Sequence, residues 1–376
     1  MKKKIGILTQ SLISNYGGIL QNYALQRILE KLGFEVETIN RTSSISDFKI
    51  TIQKIKQLLL NHHNNKIVFN YQRDLIIRES QQFIKTHINK FDVVNPTNEK
   101  LQHCVIERGY DILLVGSDQV WRPKYAINLL HDFINFTDDP KIKKLAYAVS
   151  FGTNEWEYTE EQGYECSQLA KKFNAIGVRE DDAVILCNNY FGITAEHVLD
   201  PTMLLEKEDY LKVIDKRGVK KRKGVFNYVL DSDEKKTNII NNIAESLETE
   251  VFNNHPKYSL ENNKDIPFSY DNFGYPSIEG WLASFRDADF VITDSFHGTV
   301  FSIIFNKPFI SIINKERGVS RFESLLKLFG LESRLIDSND SFNESFLKFH
   351  YDYERINFKI NELRRASLEF LSKNLR

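Results

Sequence analysis

An α/β chain with two Rossmann-like domains facing a cleft, and a C-terminal helical segment, is what this sequence predicts. Three observations predict it. Short apolar runs of buried-strand type alternate along the chain with stretches of helical periodicity, which is the doubly wound pattern. Four of these runs end in polar residues that a buried strand does not need, as expected where strands present their carboxyl ends to a ligand. At 376 residues, with 41% apolar and 27% charged side chains, the chain is long enough for two such units.

The first strand is read over residues 4–10, where Ile5, Gly6, Ile7 and Leu8 follow three lysines. A polar loop, 11–18, leads into a helix over 19–32 with Leu20, Tyr23, Ala24, Ile28 and Leu32 at helical spacing, closed by Gly33 at C′. A strand over 35–40 completes a βαβ unit. Two helices are read at 50–60 and 71–87, with His62 and His63 in a loop between them. Paired histidines there suggest metal less than they suggest a solvated turn. Strands at 111–115, 145–150 and 175–178, with helices at 160–173 and 181–186, carry the alternation to Asp200-Pro201. The basic run 215–223 places a boundary near 200–222. Residues 1–200 and 201–340 are then the two domains, and 341–376 is a helical segment returning to the first. The second series runs strand 224–230, helix 233–247, strand 250–253, helix 277–285, strand 290–293, polar turn 294–298, helix 299–305, strand 309–313 and helix 321–329. Residues 342–375 read as largely helical.

A net charge of −1 argues against general electrostatic binding of nucleic acid. Three scattered cysteines, 104, 166 and 187, make neither a disulfide framework nor a zinc site and fit a reducing compartment. The apolar run after Lys4 is too short for a signal peptide, and no run of about 18 apolar residues suggests a membrane span. A cytoplasmic location is expected.

The most telling stretch is residues 290–313. His297 follows a buried strand, and the next helix turns its free N–H groups and positive dipole end towards whatever binds there. That sets a proton donor beside a phosphate or carboxylate; the plainer alternative is a surface or capping histidine. Asn15, Tyr16, Gly17 and Gly18 follow the first strand, and the two glycines either admit an anion or sugar closely or form an ordinary turn. There is no GxGxxG or Walker loop, so dinucleotide and ATP readings are weak. Asp118 beside Trp121 suggests a carboxylate over an aromatic platform for sugar, or else a helix cap. Arg179 either pairs with Glu180 or Asp181 at the surface or forks onto an anion, which Arg317 and Arg321 would also reach.

Taken in order, residues 6–26 (GILTQ, NYGGILQNYALQ), 111–121 (DILLVGSDQVW), 175–183 (AIGVREDDA), 198–205 (VLDPTMLL) and 292–309 (ITDSFHGTVFSIIFNKPF) resemble the polysaccharide pyruvyl transferase family over most of the chain. The resemblance implies a GT-B-like architecture. It implies transfer of the enolpyruvyl carbons of phosphoenolpyruvate to two hydroxyls of a sugar in a cell-surface or capsular glycan precursor, giving a pyruvate ketal and phosphate. Phosphoenolpyruvate is then a co-substrate, no cofactor is implied, and no metal-ligand spacing asks for a metal. Many members carry arginine in a DR-x-HG turn, where this chain has Ser295. His297 and Gly298 carry over, and another cation, Arg179 or Arg321, has to hold the donor. His297 is expected as the acid for the methylene carbon and Asp118 as the base for the acceptor hydroxyl, with the two roles exchangeable. Arg179, Ser295, Gly298, Thr299 and Arg321 are expected to bind the donor, which the second domain is expected to hold. Asn15, Tyr16, Gly17, Gly18, Gln21, Asn22 and Trp121 are expected at the saccharide acceptor, free or lipid-linked, in the first. The alternative is a GT-B glycosyltransferase using a nucleotide-sugar, with Glu316 as a ribose ligand; a third reading is a non-catalytic sugar- or anion-binding protein. Lys216, Arg217, Lys220, Lys221, Arg222 and Lys223 read as a solvated loop or as a patch resting on the anionic inner membrane face. The helix at 352–375 packs in cis or forms an interface.

Overall fold

In the computed structural model, which describes residues 2–43, 70–258, 266–313, 318–339 and 344–376, each apolar run becomes a parallel strand. The strands are β1 (Lys4–Leu8), β2 (Glu35–Thr42), β3 (Lys90–Val94), β4 (Ile112–Val115), β5 (Lys143–Val149), β6 (Ala175–Val178), β7 (Glu196–His197), β8 (Val225–Tyr228), β9 (Val251–Asn253), β10 (Phe290–Thr293), β11 (Phe309–Ile312) and β12 (Leu335–Ile336). The helices are α1 (Tyr16–Lys31), α2 (Asn70–Ile76), α3 (Arg78–His87), α4 (Asn98–Arg108), α5 (Glu160–Ala170), α6 (Asp181–Leu186), α7 (Lys207–Arg217), α8 (Glu234–Ser246), α9 (Tyr270–Phe273), α10 (Ile278–Asp287), α11 (Phe296–Ile304), α12 (Ser320–Phe329) and α13 (Tyr353–Leu375). The expected helix at 50–60, His62, His63, Glu316 and Arg317 lie outside the described residues.

Among the described residues, one sheet runs β3-β2-β1-β4-β5-β6-β7 and the other β12-β11-β10-β8-β9. The chain order reverses between β1 and β4 in the first and between β8 and β10 in the second. Connections leave such neighbours in opposite directions, which opens a crevice at the carboxyl ends of the strands. The residues that follow β1, β4, β8 and β10 therefore border the two crevices.

Two helices start earlier than the sequence predicts, for one physical reason. Asn15 Oδ1 accepts the N–H of Gly18 at 3.2 Å, and Ser295 Oγ accepts that of Gly298 at 3.4 Å. These caps satisfy first-turn donors and draw Tyr16-Gly17-Gly18 and Phe296-His297-Gly298 into helix despite the weak helix propensity of glycine. Both segments are first turns, not loops. The helix at 71–87 is two, divided at Ile77. β3 and α4 were not foreseen, although Thr97 caps α4 and Gly109, at φ 64°, closes it.

One apolar cluster joins both sheets and packs the floor of the cleft. Tyr210 packs edge-on to Phe301, and Tyr16 donates its hydroxyl to the Pro276 carbonyl at 2.5 Å. Helix α13 lies across this junction. Phe370 rests on Tyr147 of β5, Ser367 Oγ accepts the N–H of Leu199 at 2.9 Å, and Arg364 Nε donates to the Met203 carbonyl at 3.0 Å. Gly218, at φ 66°, ends α7 inside the basic run. Arg217 pairs with Glu79 and Arg222 donates to the Asn253 carbonyl, while Lys216, Lys220, Lys221 and Lys223 are exposed. No helix among the described residues is long and apolar enough to cross a membrane.

At the edge of the first sheet, His131 is buried beside the Arg41–Asp132 ion pair (2.5 Å), its Nε2 3.0 Å from Asn98 Oδ1. Burial, then Arg41, pushes its imidazole from 6.5 down to about 4. The unfolded chain binds the extra proton between those values, so stability is full above pH 6.5 and falls as pH drops towards 4. His131→Gln, which keeps hydrogen-bonding atoms without titrating, is expected to remove a slope of the order of 3 kcal/mol. Denaturant midpoints at pH 7 and pH 4.5 check this; equal slopes in both proteins would contradict it.

Candidate active site

Both crevices open into one cleft of about 1050 Å³. Asn15, Gly17 and Asp118 line it from the first sheet; Asp294, Ser295, His297 and Arg321 line it from the second. Helices α1 and α11 start there, and their first turns touch. A Cβ added to Gly17 would lie 2.1 Å from His297 Nδ1 and 2.4 Å from its Cγ. Only glycine admits the ring, so two positive helix ends converge on one imidazole. Gly17→Ala is expected to displace the ring and lower kcat/KM about 10²-fold, at a stability cost of about 1–3 kcal/mol. Gly18→Ala, whose Cβ would meet nothing closer than Asn15 Nδ2 at 3.3 Å, is the control and is expected to change little. Equal activity of the two variants would show that the contact does not position His297.

A chain of alternating charge crosses the cleft floor. Arg179 Nη1 lies 3.7 Å from Asp118 Oδ1 and 3.3 Å from Asp200 Oδ2, its Nε donates to Glu180 Oε1 at 3.1 Å, and Asp200 Oδ2 is 3.7 Å from His297 Nε2. Asp200 also accepts from Gln21 Nε2 at 2.5 Å, and from the N–H (3.0 Å) and hydroxyl (2.6 Å) of Thr202. Burial pushes the Asp200 carboxyl up, but His297, Arg179 and Thr202 outweigh it and hold it well below the usual carboxylate range. Burial opposes charge on Arg179, and Glu180, Asp118 and Asp200 more than offset this. Arg179 and Arg321 flank the Phe296 ring at 4.4 Å and 5.6 Å. Burial, then the nearby Arg179, pushes the Arg321 guanidinium down to about 10.

Several expected site residues sit elsewhere. Trp121 is fully buried, stacks on Phe133 at 4.5 Å and donates its indole N–H to the Asp132 carbonyl, so it is core and no sugar platform. Asp118 has a φ of 73° and no helix starts on it, so it is no helix cap. Asn22 is buried against β2 and donates to Thr38 Oγ1. Gln21 serves Asp200 beneath the cleft. Tyr16 does line the cleft, but its hydroxyl braces the domain junction, and burial pushes that hydroxyl up. Thr299 is buried and shares a hydrogen bond with Ser311. Gly298 lies on Thr293, where a Cβ would be 2.1 Å from the hydroxyl oxygen. Arg179 is neither a surface residue nor open to the cleft: its side chain is 2% exposed. Asn15 Nδ2 reaches Asp118 Oδ2 at 3.4 Å.

Asp200 and Glu180 were not among the expected site residues, nor were Tyr228, Asn254 and His255, which line the cleft from the β8 and β9 ends. Asp200 stood in the Leu199-Asp200-Pro201 junction, and a carboxylate where a buried strand ends was the available signal. Asp294 is structural: its oxygens accept from Leu230 N, Asp231 N and Lys236 Nζ, at 2.7, 3.1 and 2.9 Å, and fix the loop after β8. Among the described residues no group of three or more His, Cys, Asp or Glu is placed to hold a metal.

The family model for polysaccharide pyruvyl transferase matches residues 15–316. No curated protein matches the chain. Among solved structures, UDP-GlcNAc 2-epimerase from Methanocaldococcus jannaschii is similar with a TM-score of 0.50 at 13% identity, over 95% of this chain and 92% of that one. MurG from Acinetobacter baumannii gives 0.47 at 9% identity over 99% and 98%, and the glycotransferase of kitacinnamycin 0.48 at 13% over the whole of both chains. Likeness at such identities concerns the fold alone, a GT-B-like pairing of two parallel sheets about a cleft.

Proposed function

The chain belongs to the polysaccharide pyruvyl transferase family, and from that premise we propose that it moves the enolpyruvyl group of phosphoenolpyruvate onto two hydroxyls of a sugar in a surface-glycan precursor. The meeting of two helix N-termini at His297 is the observation that carries this reading. Phosphoenolpyruvate brings a phosphate and a carboxylate, which helix starts and guanidinium groups bind well. Arg321, which lines the cleft, takes the place of the arginine absent at Ser295. Arg179, enclosed by three carboxylates, orders the site instead.

His297 protonates the methylene carbon, and C2 becomes an oxocarbenium-like electrophile. One sugar hydroxyl attacks C2 while Asp118 accepts its proton. The bond from C2 to the phosphate oxygen then breaks, phosphate leaves, and the second hydroxyl attacks C2 to close the ketal. Of the two hydroxyl protons released, one restores His297 and the other leaves with phosphate. Asp200 holds the imidazole in place throughout.

Incubation with phosphoenolpyruvate and a panel of saccharides tests the reaction. The expected result is phosphate release matched by a ketal-bearing sugar in the mass spectrum. Consumption of a nucleotide-sugar, with phosphoenolpyruvate untouched, would sink the proposal. Arg321→Met is expected to weaken phosphoenolpyruvate binding about 10–100-fold in calorimetry; unchanged affinity would move the donor-binding role away from Arg321.

A further inference from the structure

One wall of the cleft is built from residues that this chemistry does not use. Strands β10, β8 and β9 are neighbours, with Thr293 in register with Tyr228 and Asn227 with Asn253. Their carboxyl ends present, in a row, the turn that carries His297, the ring of Tyr228, and Asn254 with His255. Neighbouring strands lie about 4.8 Å apart, so His255 stands roughly 10 Å along the sheet edge from the donor turn. The Tyr228 and His255 rings stack at 5.0 Å and 6°, and Trp281 buttresses Tyr228 edge-on at 5.2 Å. Tyr275 lines the cleft beside them. Asn254 is only 4% exposed. Its Nδ2 and the Nε2 of His255 have no hydrogen-bond partner among the described residues. Buried polar atoms are seldom left so, and here they border a cleft. Burial pushes the His255 imidazole down, with Asp294 acting the other way, which favours the neutral ring.

A flat neutral ring with an unmatched amide beside it suits an uncharged ring that carries hydroxyls and has one apolar face. We propose that Tyr228, Asn254 and His255 form a saccharide subsite for the sugar unit next to the one that receives the pyruvyl group. This rests on the pyruvyl-transfer reading, which puts the reacting sugar beside His297. The subsite makes the preferred acceptor at least a disaccharide. It also puts the aromatic sugar platform on the second sheet, opposite the wall where the buried Trp121 lies.

Saturation-transfer NMR on the full chain, with phosphoenolpyruvate present, tests this using mono- and disaccharides of glucose, galactose, mannose and N-acetylhexosamines. Wild type is expected to bind at least one disaccharide more tightly than its component monosaccharides. His255→Ala is expected to lose that preference, by up to about tenfold in affinity, with calorimetric binding of phosphoenolpyruvate unchanged. His255→Phe keeps a flat ring and guards against a folding defect: it should melt like wild type and retain stacking, and Asn254→Ala in that background should lower disaccharide affinity further. Unchanged disaccharide binding in His255→Ala would overturn the subsite. So would failure of every saccharide to bind, or loss of UDP binding in place of saccharide binding. If disaccharide binding depends on His255 but wild type ignores phosphoenolpyruvate, the subsite stands and the pyruvyl reading falls.

Discussion

His297→Gln is expected to lower kcat by about 10²–10⁴-fold, the usual worth of a positioned general acid, while the melting temperature stays close to that of wild type. Glutamine fills the space over Gly17 and can still donate a hydrogen bond, but it cannot pass a proton to carbon. Stability should hold because His297 stands 3.7 Å from Asp200, beyond hydrogen-bond reach, and Asp200 keeps its four donated hydrogen bonds, from Gln21, Arg179 and Thr202. Phosphate release from phosphoenolpyruvate, followed with an acceptor that supports turnover, reads the loss. A variant that turns over at the wild-type rate would remove His297 from proton transfer and leave it a donor-binding group at most.

Asp200→Asn is expected to cost about 3–5 kcal/mol of stability, because it breaks a buried ion pair and leaves Arg179 under-compensated. The Arg179 and Asp200 side chains are 2% and 1% exposed, so little water can replace the lost charge. An asparagine NH₂ would also face donors, since both Asp200 oxygens accept hydrogen bonds. The sign of the pH dependence follows from the depressed carboxyl. Its stabilisation is present above the unfolded value of 3.8 and is lost as pH falls below it towards the lower folded value. Wild type should therefore lose more stability than Asp200→Asn below about pH 4. Urea unfolding at pH 7 and pH 3.5 measures both effects; a variant as stable as wild type at pH 7 would show that the charge chain is not a structural unit.

The fold was legible because buried parallel strands are nearly continuous apolar runs, and nine of the twelve strands lie within a residue or two of a run read as a strand. β3, β7 and β12 escaped: KFDVV buries only Val93 at a sheet edge, and β7 and β12 have two residues each, those of β7 both exposed. His297, Asp118, Asn15 and Gly17 were legible because strand ends are where polar residues lack a packing reason, and the structure brings all four to one cleft. Trp121 was misplaced because three residues of spacing do not tell whether a ring turns out to a ligand or in to Phe133. Asp200 was passed over because its partners, Gln21, Arg179 and His297, come from three separate elements and meet only in the folded chain. Tyr228 and His255 were invisible for the same reason, since neighbouring strands create their stack.

Isothermal titration of the 376-residue chain with phosphoenolpyruvate, alongside UDP-sugars and for both wild type and His297→Gln, tests pyruvyl transfer at this cleft most directly. Saturable binding of phosphoenolpyruvate to wild type, weakened by the substitution and by Arg321→Met, is the predicted result. Binding of a UDP-sugar with none of phosphoenolpyruvate would contradict it and make the cleft that of a nucleotide-sugar enzyme.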